Sequence, residues 1–518
     1  MAEARTATRL REQLFARKPL ALLLEEMHGE QRLRRVLGPV ALTSLGIGCI
    51  IGAGIFVITG LVARNTTGPA LVLSFVVSGL ACVFAALCYA EFASMAPVAG
   101  SAYTYAYATL GELFAWIIGW DLILEYTVAS ATVAHGWSAY FQKLISSFHL
   151  ALPQALSTAP FDFDTKLGRL AGTGAVLDLP AIIIAAVVTI VLVIGIRESA
   201  GLNALIVMMK VAIVVFVIVV GAFYVRPQNW RPFAPYGLGG LSLFGRTIWG
   251  QTGPGNHPVG MLAGAAMVFF AYIGFDSVST HAEEARNPHR DVPIGIIASL
   301  LICTVLYIAV AGVLTGMVPY GEINADAPIA QAFTQVGLPW AQFLISLGAV
   351  AGITSVLLVL MLSQPRVWLA MARDGLVPRS FFGAVHERFR TPWKATILTG
   401  VVVATMAAFL PLGILAELVN IGTLLAFIMV CAAVLIMRRT DPHAERHFRA
   451  PLVPLVPILG ILLCLLLMFS LPAQNWLRLF VWLVVGLAIY FGYGRHHSVM
   501  SVQRAREAAR QEAQWAGS

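Results

Sequence analysis

The stretch Gly46-Ile-Gly-Cys-Ile-Ile-Gly52-Ala-Gly54-Ile-Phe56 places four glycines within nine positions, inside an apolar run near residues 41–63. The run is long enough to cross a hydrocarbon core of about 30 Å as a helix. Each glycine in a helix interior costs about 1 kcal/mol relative to alanine, so this density works against a continuous helix. Two readings follow. In the first the helix breaks, which at membrane depth is tolerated only where the backbone lines an enclosed or watery cavity. The freed N–H groups, with the N-terminus of the following half-helix, would then bind an anion such as a carboxylate. In the second the helix is unbroken and packs closely on a neighbour through Gly48-x-x-x-Gly52, a small-xxx-small pattern.

The rest of the chain fits that membrane setting. Of 518 residues, 58% are hydrophobic and only 12% charged, and the mean hydropathy is +0.81. A soluble domain carries about a quarter charged residues. Apolar spans lie near 41–63, 70–96, 106–141, 179–196, 202–225, 259–282, 293–318, 338–371, 395–411, 413–437, 451–472 and 477–494. These predict an all-α polytopic membrane protein of twelve transmembrane helices. The ninth and tenth spans touch at Pro411-Leu-Gly413, and the length of the third implies a strong tilt or a protruding end. The short alternating strands of an outer-membrane barrel are absent from the sequence.

Charge orients the bundle. The net +8 would suggest nucleic acid in a soluble protein. Here 25 Lys and Arg fall on the side of the N-terminus and eight on the other, with Lys210 inside a span. The positive-inside rule makes both termini cytoplasmic. No cleavable signal peptide is expected from the polar, basic first forty residues. The six cysteines all lie in apolar runs without CxxC spacing, which favours packing over a disulfide framework or a zinc site. Residues 10–36 read either as a helix lying on the cytoplasmic leaflet or as a solvated basic tail. The loops 145–178 and 226–258 are too short for a catalytic domain, and no P-loop motif indicates a primary pump.

The sixth span repeats the opening anomaly. Phe269-Phe-Ala-Tyr-Ile273-Gly-Phe-Asp276-Ser277 puts a glycine and an ionisable residue deep in an apolar segment. Two interrupted helices five spans apart correspond in position within two five-helix halves. That is the sign of inverted-repeat transporters, whose discontinuous helices meet at the midplane and form the substrate site.

Several motifs in order carry a resemblance. They are Gly52-Ala-Gly-Ile-Phe56, Tyr89-Ala-Glu91 with Pro97 and Gly100-Ser-Ala-Tyr103, and Gly119-Trp-Asp-Leu-Ile-Leu-Glu-Tyr126. Gly274-Phe-Asp276 follows, with Glu283-Glu284 and Arg286-Asn-Pro288, and then Met371-Ala-Arg-Asp-Gly-Leu376. From about residue 36 to 440 the chain resembles the cationic amino acid transporters of the amino acid, polyamine and organocation superfamily, above all the twelve-helix bacterial members. The resemblance implies a leucine-transporter fold. Residues 1–40 form a cytoplasmic basic segment, 41–225 the first repeat and 226–258 an extracytoplasmic loop. Residues 259–437 form the second repeat, 451–494 the peripheral helices 11 and 12, and 495–518 a cytoplasmic tail. It also implies that the substrate α-carboxylate rests on the amides of Gly52, Ala53 and Gly54. The α-amino group would meet carbonyls near Ile47 and Gly48 of helix 1 and near Phe270, Ala271 and Ile273 of helix 6. Amides donate to an anion and carbonyls accept from an ammonium, so the division is chemically consistent.

Lys210 stands in the run Asn203-Ala-Leu-Ile-Val-Met-Met-Lys210-Val-Ala-Ile-Val-Val, with its Cα about 10 Å from either end. An ammonium so deep is costly and functional by default, suited to taking up and releasing a proton. In proton-dependent relatives a lysine in this helix stands in for the second sodium ion of sodium-coupled cousins and approaches helix 1 carbonyls. The other reading is a permanently charged structural lysine satisfied by carbonyls. Asp121 and Glu125 share one face of the third span at i and i+4. Glu125 and Asp276 are placed to meet the cationic end of a substrate such as arginine or lysine. Alternatively Asp276 caps or braces the broken sixth helix and Asp121 bonds a neighbouring one. Glu91, Glu283, Glu284, Asp291, Arg286 and Arg373 read as a solvated cytoplasmic face or as a gating ion-pair network.

Together these features predict a proton-coupled secondary active transporter of the inner membrane, working by alternating access on a cationic or small neutral L-amino acid. Its partners would be the substrate, protons and the lipid bilayer, with a single-span accessory subunit left open. No cofactor, metal or nucleic acid is expected. An exchanger on the same fold is the nearest alternative. A sensor or membrane enzyme would have to rest on His281 beside Glu283 and Glu284. Helix 8, from Ala349 to Leu360, is expected to wall the side-chain pocket.

Overall fold

The computed structural model describes residues 13–19, 37–95, 101–164, 169–195, 200–243, 246–254 and 257–500. Most of the 10–36 segment, Pro97, Gly100, Lys166, Arg197 and the tail beyond 500 lie outside the described residues. The expected runs are helical. They are α1 (Pro39–Ile50), α2 (Leu71–Met95), α3 (Glu112–Ser146), α4 (Leu179–Ile194), α5 (Ala200–Ala222) and α6 (Met261–Val268). After them come α7 (Pro288–Met317), α8 (Pro339–Arg373), α9 (Trp393–Phe409), α10 (Leu412–Thr440), α11 (Leu455–Met468) and α12 (Ala473–Ile489). Among the described residues eight helical runs are long and apolar enough to cross a membrane, while α1, α4, α9 and α11 are shorter apolar helices.

Local chemistry sets the boundaries. Pro39 opens α1, where its missing N–H costs nothing. Asp178 caps α4 by accepting from Ala181 N at 3.1 Å. The helical run Gly54–Met95 spans 42 residues, roughly 63 Å if straight and about twice the hydrocarbon thickness. Gly68, at φ 63° and followed by Pro69, folds it into two legs. Gly111, at φ 105°, separates α3 from a short helix at Ser101–Thr109. The third span therefore starts at Glu112 and not near 106, because the sequence run concealed a left-handed glycine between two helices.

The core is laid around α3, which packs on α8 and α10, while α7 packs on α2 and α1. α11 and α12 lie outside that core, α11 against α10 and α2, and α12 against α3 and α10. On α4, Ile183, Val187, Ile190 and Ile194 recur along one face and are all about half exposed, a lipid-facing stripe. Both long loops contain small antiparallel hairpins, β1 (Phe161–Asp164) with β2 (Arg169–Gly172) and β3 (Leu241–Leu243) with β4 (Arg246–Trp249). A third pair joins β5 (Gln251–Thr252) to β6 (Pro258–Val259).

Neither reading of the N-terminal segment describes residues 13–19. This stretch docks on the bundle: Glu112 N donates to Ala16 O at 3.0 Å, Lys18 N to Tyr107 O at 3.1 Å, and Lys18 Nζ to Asp374 at 3.0 Å. Ala16 is buried. Val499 N also donates to the backbone of Asp374, so both ends of the described chain are tied to the end of α8.

Candidate functional site

Both glycine-bearing helices are broken, and the breaks face each other. α1 ends at Ile51, which turns to an extended φ of −73° and ψ of 101°, and helical structure resumes at Gly54. After α6 a 3-10 turn over Phe269–Tyr272 leads to an extended Ile273 and to Gly274 at φ 116°, before a single turn at Ser277–Thr280. The helix is broken, so the reading of an unbroken helix packed through Gly48-x-x-x-Gly52 does not hold. Gly52 lies in the break, and it is Gly46 and Gly54 that permit close packing. A Cβ on Gly54 would fall 2.3 Å from Ala271 Cα, and one on Gly46 would fall 2.4 Å from Ser299 Oγ. Gly274 needs both its positive φ and its lack of a Cβ, which would sit 2.9 Å from the carbonyl oxygen of Cys49.

The break sorts donors from acceptors. Among the described residues no acceptor meets the N–H groups of Gly52, Ala53 and Gly54, three adjacent donors buried at the start of the second half-helix. Unpaired buried amides are rare and costly, so they define a place for an anion. The carbonyls are in use. Ile47 O accepts from Ile51 N at 2.9 Å, Ile50 O from the Tyr307 hydroxyl at 2.7 Å, and Phe270 O from Ile273 N at 3.2 Å. A carbonyl oxygen has two lone pairs, so these bonds leave Ile47 and Phe270 a second acceptor site.

Lys210, fully buried on α5, reaches the same break. Its Nζ donates to Gly48 O at 2.7 Å and to Ile51 O at 3.1 Å. Gly352 of α8 makes room for its stem, since a Cβ there would lie 3.2 Å from Lys210 Cγ. The geometry is common to a coupling lysine and to a structural one. It ties the position of α5 to the shape of the α1 break.

The acids form a separate group. Asp121, Glu125 and Asp276 are each at most 2% exposed. Asp276 Oδ2 accepts from the Tyr126 hydroxyl at 3.1 Å, which braces the broken sixth helix against α3. Among the described residues Asp276 Oδ1 and all four oxygens of Asp121 and Glu125 have no partner at full hydrogen-bond geometry, while the backbone N–H groups of Gly274, Asp276 and Ser277 lie beside the Asp276 carboxylate. The expected bond from Asp121 to a neighbouring helix is absent; Asp121 instead packs against Gly422 of α10. Thr423 lies beside Glu125, but its hydroxyl donates to Val419 O at 3.2 Å.

The tyrosines around the breaks were not legible as site residues. Besides Tyr126 and Tyr307, Tyr140 donates to Phe56 O at 2.7 Å and Tyr272 to Phe75 O at 2.8 Å. Asn420 on α10 donates to Ala266 O and Met267 O, at 2.9 and 3.1 Å, just ahead of the sixth-helix break. A polar tip on an otherwise apolar helix was the available signal, but it does not say which carbonyl has been freed.

At the periphery Glu91 is not solvated. It is 2% exposed, takes a bidentate pair from Arg438 at 2.9 and 2.7 Å, accepts from Ala450 N at 2.8 Å and lies 3.3 Å from Arg446. Asp291 accepts from Asn287 N at 3.2 Å and so caps the start of α7. The Glu283 side chain lies outside the described residues. All six cysteines are buried.

Residues 37–490 match the sequence profile of the family described as amino acid permease, and the chain belongs to that family. It is a multi-pass membrane protein of a transporter class. A methylthioribose transporter of Bacillus subtilis (strain 168) is 47% identical over 94% of this chain and 99% of the relative. A branched-chain amino acid permease of the same organism is 46% identical over the same shares of the two chains. The vacuolar cationic amino acid transporter 4 of Arabidopsis thaliana is 40% identical over 80% of this chain and 65% of its own length.

Proposed function

We propose that the chain is a proton-coupled secondary active transporter of the cell membrane that carries an L-amino acid, cationic or small and neutral, by alternating access between twelve helices arranged as two inverted repeats. The observation that carries this reading is the α1 break. Three orphaned amides, at Gly52, Ala53 and Gly54, lie next to carbonyls held by the Lys210 ammonium. An α-carboxylate on those amides satisfies them. The α-amino group takes the second lone pairs of Ile47 and Phe270 and the carbonyls of Ala271 and Ile273, leaving the side chain to set specificity.

Coupling follows from the same contact. When Lys210 is protonated it bridges Gly48 and Ile51 and holds the break in its bound shape. When it releases the proton the two carbonyls lose their donors, and the first half of α1 is free to move. The motion would be α1, α2, α6 and α7 rocking against α3, α4, α8 and α9. The cationic asymmetry of the sequence supports cytoplasmic termini.

Glu125 and Asp276 favour a cationic side chain, because their free oxygens would accept charge-assisted hydrogen bonds. A neutral branched side chain is favoured by the likeness to the branched-chain permease and by the apolar wall of α8, where Ile353, Val356 and Leu357 are buried. The test is uptake into proteoliposomes of radiolabelled lysine, arginine, valine and leucine, with an inward proton gradient and no sodium. Gradient-dependent accumulation of at least one of them is expected. Strict sodium dependence overturns proton coupling, uptake only into preloaded vesicles makes the protein an exchanger, and competition by methylthioribose alone overturns the amino acid assignment.

A further inference from the structure

At the end of the bundle that carries most of the Lys and Arg, a cavity of about 570 Å³ opens between the ends of α4 and the sixth helix, the last third of α8 and the start of α9. Four arginines line it, Arg366, Arg373, Arg388 and Arg390, and among the described lining residues none is acidic. Thr280 and Thr396 also line it, with their hydroxyls donating to Ser277 O at 2.7 Å and Pro392 O at 3.0 Å.

The loop that supplies two of these arginines is built, not slack. His386 Nδ1 accepts from Arg388 N at 3.1 Å and from Phe389 N at 3.3 Å. His386 N donates to Thr391 O at 2.8 Å, Arg390 N donates to His386 O at 2.9 Å, and Arg390 takes a left-handed φ of 58°. The Thr391 hydroxyl pins the loop to the end of α4 by donating to Val193 O at 2.8 Å. A closed turn, with a non-glycine residue in a region that L-residues avoid, holds the two guanidinium groups at the cavity.

We propose that this cavity is a binding site for the phosphate headgroup of an anionic phospholipid, with its acyl chains lying on the adjoining faces of α4 and α9. Guanidinium groups match phosphate oxygens in bidentate pairs, and basic pockets between membrane helices suit anionic headgroups. A lipid is favoured over a free anion by what adjoins the cavity. Ile194 both lines it and ends the half-exposed α4 stripe of Ile183, Val187 and Ile190, and Ile397 and Val401 of α9 are exposed beside it. A soluble phosphate would use the arginines and leave this apolar path unexplained. None of the acids nor Lys210 lines the site, and it does not depend on which substrate is carried. Because α4, α8 and α9 belong to the proposed scaffold and Thr280 ends the broken helix, a lipid seated here would clamp the moving part to the static one.

The test uses the full-length protein purified in dodecyl maltoside. Thermal melting is followed on titration with phosphatidylglycerol, phosphatidylcholine and inorganic phosphate, and co-purified lipid is counted by native mass spectrometry. Phosphatidylglycerol is expected to raise the melting temperature and to remain bound through purification, while phosphatidylcholine and phosphate do neither. The R388Q/R390Q variant is expected to lose bound phosphatidylglycerol about tenfold, and R388K/R390K to recover part of it. Both arginines are exposed, so neither change threatens the core. Equal retention by wild type and R388Q/R390Q, or stabilisation by phosphate equal to that by the lipid, overturns the proposal.

Discussion

Two of the buried ionic groups of the bundle, Lys210 and the cluster of Asp121, Glu125 and Asp276, are handled in opposite ways. Lys210 is fully enclosed, and its ammonium is satisfied by carbonyls that a helix break has set free. Asp121, Glu125 and Asp276 are equally enclosed, yet among the described residues five of their six carboxyl oxygens have no partner at full hydrogen-bond geometry. A buried ion without a partner is expensive, and in proteins it is retained where something transient pairs with it. In the proposed transporter the cation would hold the α1 break, and the acids would take up a proton or the positive end of a substrate.

The largest effect that would break this comparison is at Lys210. Lys210→Ala removes the donor from Gly48 and Ile51, and each stranded carbonyl costs about 1–3 kcal/mol. Gradient-driven accumulation in proteoliposomes should fall at least tenfold while exchange between preloaded vesicles survives. Accumulation at the wild-type level would make the lysine purely structural. Next comes the close approach of the breaks. Gly54→Val would drive a side chain into the Ala271 backbone, a clash worth about 3 kcal/mol or more, which a thermal melt in detergent and a loss of uptake would report.

Glu125→Gln sharpens the contrast because its two readouts should move apart. Removing an unpaired buried charge should leave the melting temperature unchanged or higher. Uptake of arginine and lysine should weaken about ten- to a hundredfold, the worth of a charge-assisted hydrogen bond, with little change for valine or leucine. Equal losses for both classes would place Glu125 in proton handling instead of side-chain recognition. The smallest effect is expected from Tyr126→Phe. It deletes one neutral donor to Asp276 and should cost about 1 kcal/mol of stability, read from the same melts.

Sequence reading reached as far as local cost reaches. Four glycines near residue 50, Gly274 beside Asp276, and Lys210 in an apolar run each violate what a membrane helix tolerates, and the violation is visible without a neighbour. It also placed the helical runs, because apolar length is a one-dimensional property. It did not separate the Ser101–Thr109 helix from α3, since a glycine at φ 105° reads like any other glycine. It left Glu91 open between a solvated face and an ion-pair network, because Arg438 lies 347 positions away and distance along the chain says nothing of pairing.

The sequence by itself determined that this is a helical membrane protein, marked its first and sixth spans as candidates for interruption, and singled out Lys210, Asp121, Glu125 and Asp276 within lipid-length runs. Tertiary structure alone decided which polar group meets which: that Lys210 bonds Gly48 and Ile51 and not the acids, that Tyr126 braces Asp276, and that the amides of Gly52, Ala53 and Gly54 meet no acceptor among the described residues. The physical reason is that burial and hydropathy are summed along the chain, whereas hydrogen bonds are satisfied only at about 3 Å. Here most of those partners come from helices distant in sequence.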